Sequence, residues 1–577
     1  MLAALAVMLT AADTFVVVLA LPEMMSGVGL GLDQLQRGAP IVTVFLLGYV
    51  VVLAVAGRVS DVVGRQPVIL TCLATFAAGS LITAGAHDLG AVLVGRGLQG
   101  LGAGGLVPPT LALVADLWPP QRRSVPLGLV GAAQELGSVL GPLLGAAVLS
   151  VSDWRTIFWI NLGAALVLLA GIVLARRAGR ADRATGDGGA TRAGRVVVLV
   201  AVLAGLAVAL VALVLNAPAS LLADATAGVL FVPLLGDPGD TGGSGGLGPA
   251  IWASPLGLTA VGLALAAAAL ALRHRPARLA EADLPGAGLL AVTLAGLVLA
   301  FADTDPTRSA ISDGWPLLLG LAAVGSLALV VRRRTARYPL VPRGALRLRG
   351  AWGSLVINVL VGAALVAALV DVPVFARLTR DPQSQLGAAL VLVQLLVALP
   401  LGALAGGWAT RALPPAAVAC AGSVAAGTGL LLMSRWDADG LDGASASVAL
   451  VLAGIGFGLV VAPVNTALLT ATPDAVHGLA SALGVLARMI GMLVGLSLLT
   501  AVGLRVFYAR QEQLGSPLTL CPTTPLDCPL YEAATRTSAL DELRAVFAGG
   551  AGCALAAAVL CAVLLPAVRP GTRADQP

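Results

Sequence analysis

The 577-residue chain contains no lysine, so all 35 of its basic residues are arginine. Charge of either sign is sparse: Asp and Glu number 30, and charged residues together make up 11% of the sequence. A soluble chain of this length needs far more polar surface to stay dispersed, so a soluble enzyme or binding domain is excluded. Histidine occurs three times (His87, His274 and His477) and cysteine six times. No spacing among them resembles a zinc site, and no metal is expected. No clustered His, Cys or Ser/His/Asp chemistry is present, which argues against a membrane-embedded enzyme such as an acyltransferase. The net charge of +5 is spread over short loops rather than gathered on one face or tail, so nucleic acid is not an expected partner.

What is present is apolar length. Hydrophobic residues make up 58% of the chain, and the mean hydropathy is +0.95. Six long apolar runs lie at about 3–24, 39–57, 67–86, 90–114, 125–149 and 156–175. Four more lie at about 195–215, 254–272, 284–302 and 316–331. A last group lies at about 351–375, 385–408, 414–433, 446–470, 477–510 and 543–567. Runs of this length cross a hydrocarbon core of roughly 30 Å as helices. The expected fold class is an all-α membrane protein with about 14–16 spanning helices. The first run has no basic residue before it and no small-residue cleavage site after it, so it reads as a helix rather than a signal peptide.

Arginine placement sets the topology. Arg58, Arg65, Arg122 and Arg123 fall in alternate loops, followed by Arg176, Arg177 and Arg180, by Arg273, Arg275 and Arg278, and by the run from Arg332 to Arg349. The intervening loops lean to Asp303, Asp305 and Asp313, or to Asp437, Asp439 and Asp442. Basic loops stay cytoplasmic, which places both termini inside. The chain divides into a six-helix half at 1–175, a middle block at 176–350 and a second six-helix half at 351–577. The middle block carries inserted linker helices and a Gly-rich external loop at 217–252. The run from His477 to Gln513 reads as one helix of roughly 55 Å, far longer than the bilayer is thick. Cys72, Cys420, Cys553 and Cys561 fall in apolar runs as packing residues. Cys521 and Cys528 share a polar external loop and suit a disulfide in an oxidising periplasm.

Charged residues inside apolar runs are functional by default, because an unpaired charge there is costly. Asp13 lies mid-span in the first run, Arg96 in the fourth and Arg488 in the fifteenth. Glu135 stands in apolar surroundings on a helix whose Gly131, Gly137, Gly141 and Gly145 allow close helix approach, while Pro142 permits bending. A carboxyl group buried in a span suits reversible protonation. Asp371 is either a polar group of the second half or an interfacial residue, since it lies near the outer end of its helix. Between the second and third helices, Gly57-Arg-Val-Ser-Asp61-Val-Val-Gly64-Arg65 reads as a short inside loop, with Gly57 and Gly64 allowing a tight turn. Asp61 is positioned there to pair with Arg residues. His477 reads as a loop residue rather than a proton relay. Trp154-Arg155-Thr-Ile-Phe158-Trp159-Ile-Asn161 reads as an interfacial aromatic anchor.

These segments carry a family resemblance. The Gly57–Arg65 segment resembles the signature loop of the major facilitator superfamily, and Arg96-Gly-Leu-Gln99-Gly100 its fourth-helix motif. The Gly131–Gly145 stretch is similar to the fifth-helix antiporter motif, which separates exporters from importers. Asp13 matches the first-helix motif of the fourteen-helix drug:proton antiporter family. Thr110–Trp118, Leu369–Val372 and His477–Leu493 resemble the actinobacterial triacylglyceride-exporting branch. The resemblance implies two six-helix halves rocking about a midplane site, with Asp13, Glu135 and Arg488 as key residues and Arg96 assisting proton transfer. It implies no cofactor beyond the proton motive force, and a monomer in the inner membrane. In that branch the transporter extracts lipid and hands it to a periplasmic lipid-carrying lipoprotein. A broad-specificity drug:proton antiporter with a hydrophobic small-molecule substrate is the alternative. One departure is visible: the family carries two inserted helices, whereas four apolar runs lie between the halves here.

Overall fold

The computed structural model describes residues 1–30, 38, 40–119, 122–181, 226–227, 232–233, 283–302, 315–342, 344–380, 385–441, 443–514 and 529–565. Fourteen α-helices lie among the described residues. They are α1 (Leu2–Gly27), α2 (Pro40–Val63), α3 (Arg65–Ala84), α4 (Leu89–Leu117), α5 (Ser124–Leu149) and α6 (Trp154–Ala181). Next come α7 (Leu284–Ala302) and α8 (Trp315–Thr335). The last six are α9 (Arg349–Thr379), α10 (Gln385–Ala409), α11 (Pro415–Met433), α12 (Ala444–Thr470), α13 (His477–Leu514) and α14 (Pro529–Leu564). Among the described residues, twelve helices are long and apolar enough to cross a membrane, and α1 makes thirteen when counted as one span. The expected runs at 195–215 and 254–272, and the Cys521–Cys528 loop, lie outside the described residues. Within the Gly-rich segment, Thr226–Ala227 pairs antiparallel with Val232–Pro233.

Contacts group the chain into two compact units. The first contains Met1–Thr110, Leu140–Ala291 and Ala336–Leu340. The second contains Leu111–Val139, Val292–Thr335 and Val341–Pro577. Lipid tails are as apolar as a leucine side chain, so helices in a bilayer associate through close packing rather than by leaving water. In the first unit that packing rests on small residues. A Cβ on Gly100 or Gly104 of α4 would collide with the backbone of Phe45 or Tyr49 on α2. Elsewhere in this unit Trp154 and Phe158 of α6, Met24 and Met25 of α1 and Ile82 of α3 share one buried cluster. Cys72 is buried as expected.

The second unit has a larger core. Phe375 of α9, Trp436 and Phe547 of α14 pack ring against ring, with centroids 5.2–6.4 Å apart. Cys561 is buried in this core, and Cys420 and Cys553 pack against it, all three as free thiols. Arg544 fastens the core's rim: it donates to the Trp436 carbonyl at 2.8 Å and pairs with Asp437 at 2.6 Å and Asp541 at 2.9 Å. Helices α13 and α14 run for 38 and 36 residues, about 57 and 54 Å at 1.5 Å per residue.

Two local expectations need correction. The Gly57–Arg65 segment is not an extended loop, because Gly57 and Asp61 lie within α2 and Arg65 opens α3. The turn is confined to Gly64, whose φ of 107° is open to glycine and strained for other residues. Among the aromatic residues of the expected anchor, Trp159 is exposed, while Trp154 and Phe158 are buried.

Candidate functional site

Five polar side chains from four helices meet inside the first unit. Asp13 on α1 is 1% exposed and Arg96 on α4 is 0% exposed. Arg96 Nη1 donates to Asp13 Oδ2 at 2.8 Å. The same nitrogen donates to Gln99 Oε1 at 3.1 Å, because residues three apart share one face of a helix. Gln99 Nε2 donates to Ser80 Oγ of α3 at 3.0 Å and lies 3.5 Å from Asp13 Oδ1. Asn161 Nδ2 of α6 donates to that same Oδ1 at 2.6 Å. The guanidinium also lies over the Phe45 ring at 4.1 Å, and its Nε donates to the Ile41 carbonyl at 3.4 Å. Arg96 Nη2 has no partner among the described residues.

This arrangement gives the Arg96 guanidinium partners other than Asp13. Separating a carboxylate from a guanidinium in an apolar interior costs several kcal/mol unless both ends find new partners. Here Arg96 retains Gln99, the Ile41 carbonyl and an aromatic face if Asp13 becomes neutral. Arg96 thus has neutral partners beside the Asp13 carboxylate.

A second buried ion pair lies in the second unit. Arg488 Nη1 on α13 donates to Glu135 Oε1 on α5 at 2.9 Å. The two side chains are 16% and 10% exposed. A Cβ on Gly362 of α9 would collide with the Arg488 carbonyl, so α9 presses on α13 at the level of the charge. Of the antiporter-motif residues, Gly137 is buried in the second unit. In the first unit, Gly141 faces the Ala12 carbonyl, Gly145 faces Val16, and Pro142 lies inside α5. Asp371 joins neither ion pair; its electrostatic neighbour is Glu542 of α14.

At the signature segment, Arg65 Nη1 pairs with Asp61 and donates to Ser60 Oγ at 3.1 Å. His477, expected in a loop, opens α13 and is buried. Its Nε2 lies 2.9 Å from the Leu469 carbonyl and 3.4 Å from Asp474 Oδ1. Arg123, in the connection between α4 and α5, is buried nearby. Burial pulls its guanidinium below the usual range, while Asp474 and Asp116 act in the opposite direction. Among the described residues no group of three or more His, Cys, Asp or Glu side chains could hold a metal ion.

Sequence reasoning singled out the charged members of these clusters and missed Asn161 as a partner of Asp13. The usable signal was Asn161 itself, a polar group three residues beyond the buried Phe158 on the same helix face.

The sequence model described as Major Facilitator Superfamily matches residues 3–330. The chain belongs to the major facilitator superfamily. It is thus a multi-pass membrane transporter and not an enzyme. Among curated members of the superfamily, the triacylglyceride transporter of Mycolicibacterium hassiacum is 33% identical, over 91% of this chain and 82% of that protein. The triacylglyceride transporter of Mycobacterium tuberculosis is 34% identical, over 87% of this chain and 82% of its own length. Two solved structures share the superfamily fold. The proton:xylose symporter XylE matches with a TM-score of 0.52 at 12% identity, over 99% of this chain and 95% of that one. The human organic anion transporter MFSD10 matches with a TM-score of 0.51 at 17% identity, over 97% and 98%.

Proposed function

We propose that this transporter is a proton-coupled exporter of triacylglyceride-like lipids, working by alternating access from the inner membrane towards the periplasm. The observation that carries the coupling is Asp13, a fully buried carboxyl group held by Arg96, Asn161 and Gln99 in an apolar unit. A proton from the periplasmic side adds to Asp13 and releases Arg96 to Gln99 and the Phe45 face. Its later departure to the cytoplasm restores the ion pair. The Glu135–Arg488 pair supplies a second contact that opens and closes through the cycle. The lipid substrate is supported by the similarity of the chain, over most of its length, to mycobacterial triacylglyceride transporters. A periplasmic lipid-carrying lipoprotein is the expected acceptor, and both termini are cytoplasmic.

The test is transport of radiolabelled triolein in proteoliposomes, with ethidium efflux measured in parallel, for the wild type, Asp13→Asn and Glu135→Gln. The reading predicts triolein export that collapses in both variants and negligible ethidium transport throughout. Ethidium efflux against a proton gradient without triolein movement would replace it with a drug:proton antiporter.

A further inference from the structure

We propose that Asn161 is the positioning residue for proton exchange at Asp13, an assignment that rests on the proton-coupled reading above. The two oxygens of Asp13 have different surroundings. Oδ2 faces Arg96, which carries donors only and so serves the ionised acid alone. Oδ1 faces the Asn161 carboxamide at 2.6 Å, and the more distant Gln99 amide at 3.5 Å. Gln99 is committed elsewhere, with its Nε2 on Ser80 and its Oε1 shared by Arg96 and Thr83. The Asn161 side chain makes one hydrogen bond among the described residues, and that bond is to Asp13.

A carboxamide has a donor end and an acceptor end. In the orientation seen here, Nδ2 donates to the carboxylate. Turned by half a rotation, Oδ1 of Asn161 accepts from the O–H of the protonated acid. The proton adds to and leaves from Oδ1 of Asp13, and no other covalent bond changes. Asn161 therefore satisfies Oδ1 in both states, where an aliphatic side chain would leave it only the distant Gln99 amide in an apolar interior. Its anchorage suits the task. Asn161 is 6% exposed and follows Phe158 by three residues; that ring is buried and lies 5.9 Å from the Arg96 guanidinium. The backbone bearing the amide is thus fixed while the amide itself has a single tie.

The experiment uses the full chain in proteoliposomes containing radiolabelled triolein, with Asn161→Leu, Asn161→Gln and Asp13→Asn beside the wild type. Triolein transfer driven by a pH gradient is compared with triolein exchange at equal pH, which needs no net proton movement. Asn161→Leu is expected to lose gradient-driven transfer out of proportion to exchange, the ratio of the two falling on the order of tenfold, the scale of one hydrogen bond to a charged group. Asn161→Gln, which retains the carboxamide, recovers part of the loss. Infrared difference spectra give a readout independent of turnover. The carboxyl band absent from Asp13→Asn moves to higher wavenumber in Asn161→Leu, because the acid group has lost a partner. Parallel loss of transfer and exchange, with no movement of that band, would reduce Asn161 to a packing residue and overturn the assignment. Unchanged transfer in Asn161→Leu beside an inactive Asp13→Asn overturns it as well. Gradient-driven transfer that survives in Asp13→Asn overturns the proton-coupled reading itself, and this assignment with it.

Discussion

Replacing Glu135 by Gln strands the Arg488 guanidinium, which is 16% exposed and has its carboxylate partner at 2.9 Å in the native protein. At an effective dielectric near 20, two unit charges at that separation attract by roughly 6 kcal/mol. Most of that attraction offsets the cost of removing both ions from water, so the intact pair adds little net stability. Removing one partner differs, because the desolvated survivor stays behind at a cost of about 3–5 kcal/mol. Replacing both, as in Glu135→Gln with Arg488→Met, costs far less. The expected coupling energy is about 3 kcal/mol, well above the roughly 0.5 kcal/mol scatter of independent sites. Thermal unfolding of the reconstituted protein reads this as a ranking. The double variant melts closer to the wild type than either single variant does. Single variants that each melt like the wild type, or a double variant whose loss is the sum of the two, would refute the reasoning.

Close helix packing gives a further prediction. Gly104→Val places a branched side chain against the Tyr49 backbone and should destabilise the protein by about 1–3 kcal/mol, seen as a lower melting temperature and yield. Gly163→Ala, where a Cβ meets nothing within 4 Å, should behave as the wild type. Arg544→Ala removes the ties to Trp436, Asp437 and Asp541. Amide exchange in the connection between α11 and α12 should accelerate, while gradient-driven transport persists. If exchange there is unchanged, Arg544 does not hold that rim.

Much of this architecture was legible because a bilayer makes simple demands. Each span must be long and apolar, so α2 to α6 and α9 to α14 stand out as runs, and a charge inside one is conspicuous. Asp13, Arg96, Glu135 and Arg488 were visible for that reason alone. Their pairing was harder to see. Asp13 meets Arg96 across 83 positions and Asn161 across 148, and such distances are set by helix packing that no local pattern encodes. Asn161 and Gln99 were quieter still, because neutral amides in a helix raise no electrostatic alarm. The Gly57–Arg65 segment was read as a loop because its glycines and charges resemble turn chemistry, yet α2 continues to Val63 and only Gly64 leaves the helix. His477 misled because it stands at the cytoplasmic border of its apolar run, whereas packing at the start of α13 buries it.

The central claim is that lipid movement and proton movement are one cycle that turns on Asp13. The most direct measurement follows the pH inside sealed proteoliposomes with an entrapped dye while a triolein gradient is imposed across the carrier. Triolein should drive proton flux through the wild-type protein, and Asp13→Asn should abolish that flux while leaving triolein exchange at equal pH intact. Triolein transport that moves no protons and ignores an imposed pH gradient would contradict the account.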